Sequence, residues 1–99
     1  MQFVALLRWK SGLTREQMDG ALMRRAGWEY PPTMKVVTEV WPATNDPAVV
    51  TVFDTDDFGS IMELEFTWSD VFDITVHPAI GAEDGLRVGA DAMGRARSM

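Results

Sequence analysis

His77 is the only histidine of the 99-residue chain, and it lies near the end of a run, Phe72-Asp73-Ile74-Thr75-Val76-His77-Pro78, in which apolar and polar residues alternate. Histidine is the one side chain that titrates near neutrality without perturbation, which makes it the natural general acid or base here. A strand places Phe72, Ile74 and Val76 on one face and Asp73, Thr75 and His77 on the other. Asp73 is four residues from His77, about 13 Å along a strand, so the two cannot form a dyad. An orienting carboxylate must come from a neighbouring strand, with Glu39 the candidate, or from a second subunit. Trp41 shares a strand face with Glu39, and Thr51 and Phe53 on the following strand could join them around a partly polar, aromatic-walled pocket. The catalytic candidates are therefore His77, Asp73 and Glu39, and the ligand-binding candidates Trp41, Thr75, Phe53 and Thr51. The plainer alternative is that these groups only pair across a wet interface or face solvent.

Other chemistries find less support. One histidine per chain cannot supply a two-histidine carboxylate metal triad without a symmetry mate. Asp54, Asp56 and Asp57 lack the glycine and terminal glutamate of a calcium loop, and capping of the next helix accounts for them. No metal and no cofactor is expected. The chain holds no cysteine, which removes thiolate catalysis and disulfides and agrees with a reducing, cytoplasmic setting. Its net charge of -6 has the wrong sign for binding nucleic acid through phosphates. Arg24-Arg25, Arg87, Arg95 and Arg97 are dispersed and read as solvated. The apolar run from Phe3 to Leu7 is too short for a secretory signal, and no stretch approaches the roughly 20 apolar residues of a membrane span.

The elements that must position these residues follow from local pattern. A composition that is 46% hydrophobic and 24% charged fits a single folded domain. Residues 1–10 are apolar on both faces and read as an interior strand covered twice, broken by Ser11-Gly12. Thr14 and Gln17 spell a capping box for a helix over 15–27 with Met18, Leu22 and Ala26 on one stripe. Pro31-Pro32 precedes a β-branched strand over 34–41, and Asn45-Asp46-Pro47 makes a turn into a strand over 48–54, giving a hairpin. A second helix is predicted over 58–66, with Phe58, Ile61, Met62 and Glu65 in helical register, and an exit turn at Trp68-Ser69-Asp70. The strand over 71–77 follows. A third helix over 83–95 is weakened by Gly85, Gly89 and Gly94. Of the four tryptophans, Trp68 is assigned to anchoring the exit turn, and Arg8 to an ion pair at the sheet rim.

The order strand, helix, strand, strand, helix, strand defines an α+β, ferredoxin-like βαββαβ fold, with a four-stranded antiparallel sheet and two helices on one face. The other face is left open, and large apolar groups there call for cover by another element or a second subunit. An aromatic-rich Arg8-Trp9-Lys10 ending strand one, a proline-containing entry to strand two, and Trp68-Ser69-Asp70-Val71-Phe72-Asp73-Ile74-Thr75-Val76-His77-Pro78 together resemble an uncharacterised bacterial and archaeal family of dimeric α/β-barrel proteins, a domain of unknown function. The resemblance implies a single domain over 1–99, with a core of about residues 1–80, that pairs with itself through open sheet faces. It brings no established catalytic residues, because that superfamily hosts cofactor-free oxygenases, isomerases, haem-degrading enzymes and ligand sensors alike. Two functions are therefore expected: a homodimeric small-molecule-binding protein, as a cofactor-independent monooxygenase- or isomerase-like enzyme with its site between sheet and covering surface, or a non-catalytic dimerisation or ligand-sensing domain. Neither nucleic acid nor membrane is expected as a partner.

Overall fold

A computed structural model describes residues 1–98 as an α+β chain with the order β1 (Gln2–Trp9), α1 (Arg15–Ala26), β2 (Lys35–Val40), β3 (Val49–Asp54), α2 (Phe58–Trp68), β4 (Phe72–Pro78) and α3 (Ala82–Arg97). The four strands form one antiparallel sheet in the order β2-β3-β1-β4. Gly12, with φ 83, makes the turn out of β1 that a side chain would resist. Thr14 and Gln17 form the capping box of α1, and the Asp57 carboxylate accepts from the Gly59 N–H to start α2. In β2 the register slips between Val36 and Thr38, leaving Val37 as a bulged, exposed residue.

Alternate residues of each strand face a single helical layer. Ala5, Leu7, Val49, Phe53 and Phe72 of the sheet meet Ile61, Leu64 and Trp68 of α2 in the core. A file of rings runs through it: Trp9 to Phe72 at 4.5 Å, Phe72 to Trp68 at 5.9 Å, Trp68 to Trp28 at 5.7 Å and Trp28 to Tyr30 at 4.3 Å between centroids. Strand β1 is interior to the sheet, yet its own chain covers it on one face only, through Phe3, Ala5, Leu7 and Trp9. The even residues Val4 and Leu6 lie half-buried on the other.

Three local readings change. The stripe of α1 that turns inward carries Ala21 and Arg25, so Arg25 is a buried residue and not a solvated one; Ala26 is exposed. Helix α2 continues through Trp68, which is fully buried, and its inward stripe is Ile61, Leu64 and Trp68, leaving Phe58 and Met62 exposed. The phase is set by the cap at Asp57, which puts Phe58 at the first helical position. Finally, α3 forms a full 16-residue helix despite its glycines, with no buried residue.

Candidate functional site

The open face of the sheet is a grid that can be read from the register. One row runs Thr38, Val52, Val4, His77, and the next runs Val40, Val50, Leu6, Thr75, followed by Arg8 opposite Asp73. Its centre is the aliphatic quartet Val4, Leu6, Val50 and Val52, all half-buried, and its β4 margin is the exposed set Asp73, Thr75 and His77. Among the described residues His77 makes no side-chain hydrogen bond, whereas Asp73 accepts one from Lys10 Nζ at 2.9 Å. Arg8 pairs with Asp46 at 3.5 Å on the rim. Beyond the end of the sheet, next to Pro78, a cavity of about 520 Å³ opens between Met1, Gln2, Ile80 and Asp84, within the size range of small-molecule sites.

The helix-covered face holds a different cluster. The Arg25 side chain is only 2% exposed and its guanidinium donates to Glu39 Oε1 at 2.8 Å, to Oε2 at 3.4 Å and to the Tyr30 hydroxyl at 2.6 Å. The Tyr30 hydroxyl in turn donates to Glu39 and lies 3.0 Å from Thr51 Oγ1. Thr51 Oγ1 donates to Glu39 Oε1 at 3.2 Å and Trp41 Nε1 to Oε2 at 2.8 Å. The rings of Trp28, Tyr30 and Trp68 wall in the guanidinium at 5.1, 5.6 and 4.9 Å, a cation held by aromatic faces as well as by its counter-ion. Burial alone would raise the Glu39 carboxyl, but hydrogen bonds from Arg25, Tyr30 and Trp41 and the Arg25 charge outweigh it and hold Glu39 below its ordinary value. Burial, and then the hydrogen bond to Glu39, push the Tyr30 phenol up to about 12. Arg25 Nη1 and the indole N–H groups of Trp9 and Trp68 are buried without a partner among the described residues.

These two clusters divide the residues that the sequence grouped together. His77, Thr75 and Asp73 stand on the open face, while Phe53, Thr51 and Glu39 face the helices. Glu39 is also on β2 and His77 on β4, at opposite edges of the sheet, three inter-strand steps or about 14 Å apart. Glu39 therefore cannot orient His77, and Trp41 cannot pack over a ligand held there. The reason is phase: the bulge at Val37 moves Glu39 into the row of Thr51 and Ala5. Sequence reasoning missed Arg25 and Tyr30 as members of a site. The usable signal was Ala21, four residues before Arg25, a small residue where a helix approaches a sheet.

The class defined here is a small α+β domain, an antiparallel four-stranded sheet covered by helices on one face and open on the other. The chain belongs to the family described as a domain of unknown function, DUF3303, which matches residues 1–93. No curated protein and no solved structure matches it. Among the described residues no group of three His, Asp or Glu side chains is placed to hold a metal ion, and no helix is long and apolar enough to cross a membrane.

Proposed function

We propose that the chain acts as a cytoplasmic homodimer of the ferredoxin-like, dimeric α/β-barrel kind, binding a small molecule between the open sheet face and the surface of the second copy that covers it. The observation that carries this is the quartet Val4, Leu6, Val50 and Val52, an apolar centre with a polar margin that no element among the described residues covers. Such a centre-and-rim pattern suits an interface better than bulk water. The strand order β2-β3-β1-β4 with antiparallel neighbours agrees with the fold this reading needs. Covering the face would enclose Thr75 and His77 beside the aliphatic centre, so that His77 could move a proton on an aromatic or carbonyl compound held against it.

A non-catalytic dimerisation or sensing role is the second reading. It is favoured by the absence, among the described residues, of a side-chain hydrogen-bond partner for His77, since a general base normally has its tautomer fixed by one. Sedimentation equilibrium tests the shared premise: a dimer at micromolar concentration, with Leu6→Asp shifting it to a folded monomer. A monomeric parent chain would end both readings. Between them, a ligand in contact with His77 whose affinity falls in His77→Ala supports the first, and unchanged affinity the second.

A further inference from the structure

Helices α1 and α2 each bury residues in the domain, Ala21 and Arg25 from the first and Ser60, Ile61, Leu64 and Trp68 from the second. Helix α3 buries none. The Ala79 N–H donates to the Gln2 carbonyl at 2.9 Å, the last hydrogen bond that ties the chain to the sheet. Beyond it, among the described residues, every hydrogen bond and ion pair made by α3 stays within that helix and its two caps. The radius of gyration, 16.3 Å over extents of 55 × 29 × 20 Å, accordingly exceeds the roughly 13 Å of a compact domain this long.

A helix without tertiary contacts has only its own sequence to hold it. Isolated helices shorter than about 12–15 residues are marginal in water even when rich in alanine, because the first turn fixes several dihedrals for one hydrogen bond. Helix α3 has 16 residues, and its three glycines, Gly85, Gly89 and Gly94, each lower the helix–coil constant about fivefold relative to alanine. Its N-cap is Gly81, which makes no side-chain bond, whereas Thr14 caps α1 and Asp57 caps α2. The opposing contributions are small. Glu83 and Asp84 in the first turn and Arg95 and Arg97 in the last complement the helix dipole, and the 3.5 Å pair of Asp84 with Arg87 is exposed on both sides. Asp84 also lines the cavity beside Pro78, so melting the first turn of α3 removes one wall of that cavity.

We infer that α3 is a conditional helix: in the free chain residues 82–97 melt and re-form independently of the sheet, α1 and α2, with the coil as the major state. The inference does not depend on the open-face reading. The glycines supply the test, because a methyl group at Gly85, Gly89 or Gly94 would meet no other element within 4 Å, so alanine there changes helix propensity alone. Hydrogen–deuterium exchange read by mass spectrometry on the full chain, in dilute solution, should find less than about tenfold protection across α3 and about a thousandfold or more in β1 and β3. Gly85→Ala, Gly89→Ala and Gly94→Ala together should raise the protection of α3 about threefold or more. The same variant should leave the urea midpoint unchanged when followed by tryptophan fluorescence, since all four tryptophans lie outside α3. Protection of α3 equal to that of β1 in the parent chain would overturn the inference. So would a shifted urea midpoint in the variant, or exchange in α3 that the three alanines leave unaltered.

Discussion

The two faces of the one sheet are built from alternate residues of the same strands, and they hold their side chains by different means. The helix face is closed by large aromatic rings and even admits a guanidinium, because Arg25 finds Glu39, Tyr30 and three ring faces there. The open face has only Val and Leu at its centre and polar or charged groups at its margin, with no cover from any other element among the described residues. A face that already has its partner can bury a charge. A face without such cover holds only small aliphatic side chains at its centre.

Adjacent leucines on β1 put the contrast to its sharpest test. Leu7 is fully buried under the helices, so Leu7→Ala should cost about 3 kcal/mol from lost transfer energy and the cavity left behind. Urea unfolding followed by tryptophan fluorescence would measure it, and a loss below 1 kcal/mol would mean that the helical layer is loosely packed. Somewhat smaller is the effect of Glu39→Gln, at about 2 kcal/mol, because it strands the Arg25 charge among rings while leaving its hydrogen bonds partly made. Arg25→Met should cost less than Glu39→Gln, since it removes the charge that needs compensation. The reverse order would show that the carboxylate, and not the guanidinium, is the group the fold must solvate.

How far the sequence carried this division can be judged from particular residues. Thr14 with Gln17, the β-branched run at Val36 to Val40 and the alternation from Phe72 to His77 each encode an element through contacts within a few residues, so all were readable. The inward set of β4 was readable as well, because one face held only Phe72, Ile74 and Val76. Arg25 was not, since Ala21 four residues earlier is the one local mark that separates it from Arg24, which lies at the surface forming a bidentate pair with Asp70 at 3.0 Å for each bond. Its burial depends on Glu39, which is distant in sequence and turned inward by the bulge at Val37. The assembly of His77 with Glu39 failed on strand order, which puts β2 and β4 at opposite edges, and on phase, which a one-residue bulge reverses.

Acid and base should probe the covered face through Glu39 and Tyr30. Glu39 is held below its ordinary carboxyl value, so the stability it contributes is present above that value and is lost as pH falls through its lowered one. Arg25→Met should flatten that acid limb. Tyr30 has the opposite sign: its ionisation is pushed from 10.0 to about 12, so its contribution is complete below 10.0 and is lost as pH rises through about 12. Tyr30 is the only tyrosine, which makes tyrosinate absorbance a clean reporter. The midpoint should lie about two units above that of free tyrosine, and Glu39→Gln should lower it. A midpoint near 10 in the parent chain would place Tyr30 in water and dissolve the cluster.

The smallest effect is also the one that tells the faces apart. Leu6 is half-buried on the open side, and Leu6→Ala removes part of a side chain without leaving an enclosed cavity, so its cost in dilute solution should be about 1 kcal/mol. That figure should grow with protein concentration, because a second copy that covers the face stabilises the parent chain by mass action and the variant less so. Leu7→Ala, one residue away, carries its full cost within the monomer and should differ from the parent by a similar amount at every concentration. Two parallel unfolding series at nanomolar and at high micromolar protein would resolve the pair. A Leu6→Ala cost that stays near 1 kcal/mol throughout would mean that the open face meets only solvent.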